Sequence, residues 1–130
     1  MARVPPKAPT QAVTRITRGE IYLVAFDHTV GHEIKKTPPA LVSQNNMGNR
    51  YSPLTIVAAI TSALSPVSYR VEVVVEPTRT NGLSVRSAIR LDQIRTVDRQ
   101  RLVRRLGRID RVAFGKVDEA IKISLGLITL

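Results

Sequence analysis

The chain has 130 residues, of which 43% are hydrophobic, and a formal net charge of +10, with no cysteine and no tryptophan. This length and composition fit one domain with an aliphatic core, and the lack of cysteine excludes disulfides and thiolate metal sites. Because His28 and His32 make a poor metal set on their own, we expect no metal and no cofactor.

The charge comes from 20 basic against 10 acidic side chains. A positive field of this size favours a polyanion, above all nucleic acid, as the partner; the alternative is a basic protein that its charge merely keeps soluble. The N-terminus lacks an apolar signal region, and no segment approaches the roughly 20 apolar residues that span a bilayer. We therefore expect a soluble, cytoplasmic protein with no membrane partner.

Three strands are predicted in the first half of the chain. Residues 1–17 contain three prolines and no apolar period, so they predict a flexible basic tail ahead of a folded domain at residues 18–130. Residues 20–26 (EIYLVAF) predict a strand, followed by a polar loop at 27–37. Residues 39–44 predict a second strand that begins at a proline. After the turn-like NNMGNRYSP, residues 54–62 form an apolar run that is typical of a central strand.

The second half predicts further strands and then two helices. Residues 69–77 alternate between apolar and charged side chains, and Asn81-Gly82 predicts a tight turn because both residues accept positive φ. Residues 84–96 contain two short strand-like pieces, SAIRL and QIRTV. Asp98 resembles the N-cap of a helix that ends at Gly107. A last helix begins near Asp110 or Lys116 and ends near Leu127.

The combination of short strands and late helices predicts a mainly β fold with α. We expect a small, strongly bent sheet or partly closed barrel, with C-terminal helices packed on one side.

Four motifs in order carry a resemblance to a known family. They are RGEIYLVAFD, the GHE loop that leads into P-ALV-QNN-GN-YSP, the strand IVAAITS, and LDQIRTVDRQRL. Together, over residues 18–128, the chain resembles the MazF/PemK family of type II toxin endoribonucleases. The resemblance implies an SH3-like, PemK-type small barrel that forms a homodimer, cleaves single-stranded RNA in a sequence-specific manner without a metal, and is blocked by a cognate antitoxin with an acidic segment.

The chemistry implied by the resemblance is attack of a 2′-hydroxyl on the adjacent phosphate. This reaction needs charge stabilisation on the phosphoryl oxygens and two proton transfers. The family pattern has a threonine in the strand IVAAIT, which is Thr61 here, and an arginine immediately before the strand-opening proline. Pro38 occupies that arginine position, and proline cannot stabilise charge or move a proton. Either Lys35 or Lys36 supplies the missing charge, or the chain is an inactive variant that folds and binds.

Other candidate RNA-binding residues follow from the same comparison. His32 and Glu33 lie in the loop that the family keeps near RNA. Lys35 and Lys36 suit phosphate contacts. The positions near the family's RNA groove are matched by Ser62, Ser87 and Gln93. The alternative for each of these is an ordinary solvated or structural residue, and His28 is interpreted as a loop residue.

The segment from residue 95 to 111 contains seven arginines and two aspartates. We interpret them as the solvated face of the helix that begins near Asp98, because charged residues on a surface helix commonly form local ion pairs. Two rival functions stay open. One is a catalytically dead module that binds RNA or antitoxin, and the other is a gyrase-inhibitor-like toxin of the same fold. Cleavage of naked RNA separates the endoribonuclease from both.

Overall fold

A computed structural model describes residues 15–26, 37–66 and 70–129. The described elements are β1 (Glu20–Val24), β2 (Pro39–Val42), α1 (Asn46–Tyr51), β3 (Leu54–Thr61), β4 (Glu72–Val75), β5 (Ser87–Asp98), a 3-10 turn (Arg99–Arg101), β6 (Leu102–Arg108) and α2 (Arg111–Ser124). The strands form one antiparallel sheet in the order β4-β5-β3-β2-β1-β6. The expectation of a mainly β fold with α is confirmed.

Apolar residues on the two faces of this sheet form two separate cores. Side chains such as Ile21, Leu41 and Ile60 pack with Val117 of α2 on one face. Tyr22, Val24, Ala40, Val42 and Val57 pack on the other face, with Leu102 of β6. Since the side chains of a strand alternate between faces, β1, β2 and β3 contribute to both cores. This explains why the run at residues 54–62 is almost continuously apolar, and its prediction as a central strand is confirmed.

β5 is a single 12-residue strand, so the expectation of two separate pieces was wrong. Its register against β3 shifts between the pairs Ala58↔Ile94 and Ala59↔Arg90, which leaves residues 91–93 as extra length. An irregularity of this kind bends a strand and increases its twist. A bend in the middle of β5 is the kind of feature that a strongly bent sheet requires.

The helix predicted to start at Asp98 and end at Gly107 was wrong. The Asp98 side chain does cap, accepting from the Gln100 amide, but only a 3-10 turn of three residues. The chain then continues as β6 and pairs with β1, with Leu102 opposite Val24. Leu102 is buried in the core beside Tyr22 and Val24, so packing and the ladder with β1 override the local helical pattern.

Smaller differences concern the ends of elements. The turn-like segment after β2 contains α1, which begins because the Asn45 side chain accepts from the Gly48 amide at 2.7 Å. One C-terminal helix, not two, follows the sheet. Asp110 is its N-cap, so of the two predicted starts the one near Asp110 is correct, and the helix ends at Ser124 rather than near Leu127. Ile16 is buried, so the described fold begins before residue 18.

The turn at Asn81-Gly82 also differs from the prediction. Gly82 has φ +71°, whereas Asn81 has no positive φ and is buried, with its side chain bonded to the backbone of residues 76–83. The loop at residues 76–86 then lies against β6, where the Thr80 carbonyl accepts from the Arg108 amide at 2.9 Å. An added Cβ at Gly107 would overlap the same carbonyl oxygen.

We expect Gly107→Ala to lower the free energy of unfolding by about 1–3 kcal/mol, since backbone must move to admit the methyl group. Urea denaturation measures the change. Gly115→Ala is the control: nothing lies within 4 Å of its added Cβ, so alanine in that helix should stabilise by about 0.5–1 kcal/mol. Equal effects of both substitutions would contradict the close packing of the loop on β6.

Candidate functional site

The positions predicted to form the catalytic site, Pro38 and Thr61, can be located from strand register. β2 and β3 are antiparallel, with Ala40 opposite Ala59. Continuing this register by two residues puts position 38 opposite Thr61, the last residue of β3. Opposed residues of antiparallel strands have their side chains on the same face. The structure therefore brings both positions together at one end of the sheet.

The Thr61 hydroxyl is available for donation at this point. Thr61 is half-buried, and its Oγ1 accepts a hydrogen bond from the Ala63 amide at 3.0 Å. That bond fixes the oxygen while leaving the hydroxyl hydrogen for an acceptor such as a phosphate oxygen. Pro38 is exposed, and its carbonyl accepts from the Val24 amide at 2.9 Å, which ties the site to β1.

An arginine that was not predicted as a site residue lies on the same face, next to the residue pair that follows position 38 and Thr61. Ala59 is opposite Arg90 of β5, and Arg90 is opposite Glu72 of β4. The Arg90 guanidinium contacts the Glu72 carboxylate at 3.1 Å and the Asp92 carboxylate at 2.9 Å. The sequence signal for this ion pair was one acidic residue in the segment of β4 and one basic residue in the segment of β5. Because two carboxylates hold this guanidinium, it is a poor substitute for the arginine expected at position 38.

The other candidate residues have different surroundings. Ser62 is exposed directly after β3, and Gln93 is exposed in the bend of β5. Ser87 is 3% exposed and its hydroxyl donates to the Val85 carbonyl at 2.9 Å, so it supports the turn before β5, and its contact with RNA stays a prediction. The remaining four candidates, His32, Glu33, Lys35 and Lys36, lie outside the described residues.

A buried tyrosine joins β1 to β6 beside this face. The Tyr22 hydroxyl donates to Glu20 at 3.0 Å, and the other Glu20 oxygen accepts from Arg105 at 2.9 Å. Burial and the Glu20 carboxylate raise the pKa of Tyr22 well above its usual range. The phenol therefore stays neutral and acts as a hydrogen-bond donor that fixes the carboxylate.

The motif QNNMGN has a structural explanation. Asn49 is 1% exposed, and its Oδ1 accepts from Gln44 at 3.0 Å and from the buried Thr55 hydroxyl at 2.7 Å. Its Nδ2 donates to the Gln44 carbonyl at 2.9 Å. Arg99 donates to the Asn49 carbonyl at 2.8 Å and thereby ties α1 to the 3-10 turn. This network lies at the end of β2 and β3 opposite to Thr61.

Within residues 15–26, 37–66 and 70–129, no group of three or more His, Cys, Asp and Glu side chains is suited to a metal ion. No helix there is long and apolar enough to cross a membrane.

The chain also has a cleft away from Thr61. It lies between β4 and α2 and is lined by apolar residues and by charges of both signs, namely Arg70, Glu72, Lys116 and Glu119. Mixed charge suits a polyanion less well than a basic surface does.

The chain matches known proteins over most of its length. A family model described as PemK-like, MazF-like toxin of type II toxin-antitoxin system matches residues 17–125. A relative named Endoribonuclease EndoA, from Bacillus subtilis (strain 168), is 42% identical over 113 residues, which are 87% of this chain and 97% of that protein. Endoribonuclease MazF from Staphylococcus epidermidis is 38% identical over 112 residues, covering 86% and 92%.

Solved structures agree in fold. An endoribonuclease in complex with its cognate antitoxin, from Mycobacterial species, has a TM-score of 0.71 at 20% identity and covers 88% of this chain and 99% of that one. MazF (Form-I) from Deinococcus radiodurans has a TM-score of 0.67 at 25% identity, covering 86% and 97%. With the family model matched across the whole sheet and all of α2, the chain belongs to the PemK-like, MazF-like toxins of type II toxin-antitoxin systems.

Proposed function

We propose that this toxin is a metal-independent endoribonuclease that cleaves single-stranded RNA sequence-specifically, at a rate reduced by Pro38. The observation that carries the proposal is the Thr61 hydroxyl, fixed by the Ala63 amide directly across from position 38. The names of the 42% and 38% identical relatives support the activity.

The reaction begins with the 2′-hydroxyl of one nucleotide. Its oxygen attacks the adjacent phosphorus as its proton leaves, the bond to the 5′-oxygen breaks, and that oxygen takes up a proton. The products are a cyclic phosphate and a 5′-hydroxyl. Thr61 donates a hydrogen bond to a phosphate oxygen and so stabilises the charge that grows there. Pro38 contributes no donor, so the loop residues Lys35 and Lys36 are the proposed source of positive charge.

A second function is favoured by the same proline. A chain that lacks the charged donor at position 38 but keeps the fold and a net charge of +10 can bind RNA, or an antitoxin, without cleaving. His32, Glu33, Ser62 and Gln93 are proposed RNA contacts under either function.

The proposed partners follow from the relatives. A cognate antitoxin with an acidic segment should bind this chain, as the mycobacterial complex supports. We also propose a homodimer that acts in the cytoplasm.

Thr61→Val tests the activity. Loss of a hydrogen bond to a charged group costs about 1.5–3 kcal/mol, so cleavage should slow by about 10–100-fold. Initial rates on a mixed-sequence single-stranded RNA, measured in chelator, give the result. Thr80→Val removes an exposed hydroxyl on the loop beside β6 and is the matched control. Equal rates for Thr61→Val and the unaltered chain would remove Thr61 from the reaction.

A further inference from the structure

β6 displays its arginines on a strand instead of on a helix. Arg104, Arg105, Arg108 and Arg111, here called the arginine strip, are all exposed and occupy β6 and the first residue of α2. β6 is an edge strand of the sheet. The loop at residues 76–86 lies against its backbone at residues 106–108, but the four side chains stay exposed along this border. The explanation by a solvated helix face with local ion pairs no longer applies to them.

Local pairing does not account for the strip. Arg105 contacts Glu20 at 2.9 Å, but no acidic side chain of the described residues pairs with Arg104, Arg108 or Arg111. Asp110 instead caps α2, accepting from the Ala113 amide at 2.8 Å. Arg111 lies at the positive end of that helix, where a cation is unfavourable, and the first turn has no acidic residue. The arrangement therefore weakens the fold slightly and concentrates positive charge.

Strand register connects the strip to the candidate site. Position 38 lies between Thr61 on one side and Val24 on the other, and Val24 is opposite Leu102, the first residue of β6. β6 is three strands away from β3, which is about 14 Å across the sheet. From Leu102 the strip runs along the border. Arg105 and Arg108, opposite Tyr22 and Glu20, lie on the face of Pro38 and Thr61, whereas Arg104, opposite Leu23, lies on the other face.

A cleft lies beside the 3-10 turn that precedes β6. It has a volume of about 510 Å³ and is lined by residues that include Phe26, Arg95, Gln100 and Arg101. The Arg95 guanidinium lies over the Phe26 ring, 4.8 Å from its centroid. Aromatic and guanidinium planes stack on unpaired bases, and arginines pair with phosphates.

We propose that the arginine strip binds the phosphates of single-stranded RNA that flanks the cut, with the Phe26–Arg95 cleft holding a base between the cut and the strip. The inference rests on the proposed function and adds a second RNA-binding surface to it. RNA fits better than an acidic protein segment, because protein partners need apolar anchors. Within β6, Val103 is the large apolar residue that is exposed, which gives a protein segment little to anchor on. Phosphate tracking needs only positive charge.

The test measures binding, so it does not depend on turnover. Fully 2′-O-methylated oligonucleotides lack the attacking hydroxyl and stay intact. Anisotropy titrations of the full chain over a range of salt concentrations give the slope of log K against log salt for oligomers of about 5 and about 20 nucleotides, lengths chosen below and beyond a typical single site. The variant is Arg104→Gln/Arg108→Gln/Arg111→Gln. The control, Arg50→Gln/Arg70→Gln/Lys116→Gln, removes the same charge from exposed positions away from β6.

The strip variant should reduce the slope for the long oligomer by about 2, since each lost single-strand contact removes about 0.7. The short oligomer and the control variant should change much less. An equal loss of slope in the control variant would mean that the strip only adds to the overall positive charge, which contradicts a specific phosphate site. An unchanged slope in the strip variant would also overturn the proposal. So would weaker antitoxin binding with unchanged RNA binding. Cleavage by the Pro38→Arg variant, measured separately, decides the proposed function.

Discussion

Pro38→Arg should raise the rate of single-stranded RNA cleavage by about 10²–10³-fold. A guanidinium at position 38 would lie opposite the Thr61 hydroxyl on the same face, so both can donate to one phosphate. Restoring a preorganised charged donor commonly changes a rate by this amount. Pro38 is exposed and its carbonyl, not its side chain, bonds to the Val24 amide, so arginine fits without disturbing β2. Initial rates in chelator, on the same RNA for both chains, measure the effect.

Pro77→Arg is the matched control for this experiment. It adds an identical charge at an exposed proline in the loop after β4, so any general attraction of RNA appears in both variants. Similar rates for the unaltered chain and Pro38→Arg would mean that position 38 does not contact the phosphate. Binding without products in both would select the module that binds RNA but does not cleave it.

Asn49→Ala should lower the free energy of unfolding by about 3 kcal/mol or more. The substitution leaves the Thr55 hydroxyl and the Gln44 carbonyl without their partner, and each buried unsatisfied group costs about 1–3 kcal/mol. Thr55 is 0% exposed, so water does not replace the lost bond easily. Urea denaturation at neutral pH measures the midpoint and slope.

Met47→Ala serves as the control because Met47 lies in the same helix and is 69% exposed. It should change stability by no more than about 0.5 kcal/mol. In the Pro38→Arg background, Asn49→Ala should leave cleavage nearly unchanged well below its melting temperature, because the network lies at the far end of β2 and β3. If Asn49→Ala lowered the free energy of unfolding by less than about 1 kcal/mol, the assigned network would be contradicted.

The sequence predicted the parts of the fold that depend on local patterns. The continuous apolar run of β3 and the apolar period of α2 are each a dominant local signal, and both elements are present. The positions of Thr61 and Pro38 followed from a family resemblance. Their direct opposition depends on the register between β2 and β3, which the periodicity of a single strand does not contain.

The errors occur where a distant partner decides the structure. Leu102, Val103 and Leu106 fit a helical stripe as well as they fit β6, and pairing with β1 decides between the two. Arg90 was missed for a related reason: Glu72 and Asp92 become its neighbours only after β4 pairs with β5 and the strand bends at residues 91–93.

The pairing of β1 with β6 joins Glu20 to Arg108. During synthesis on the ribosome, β1 emerges early but waits for its second neighbour until almost the whole chain has been made, and contacts so distant in sequence form slowly. A nascent or prematurely terminated toxin therefore exposes the unpaired backbone of β1 along one side, a template for aggregation that only translation of the final quarter removes.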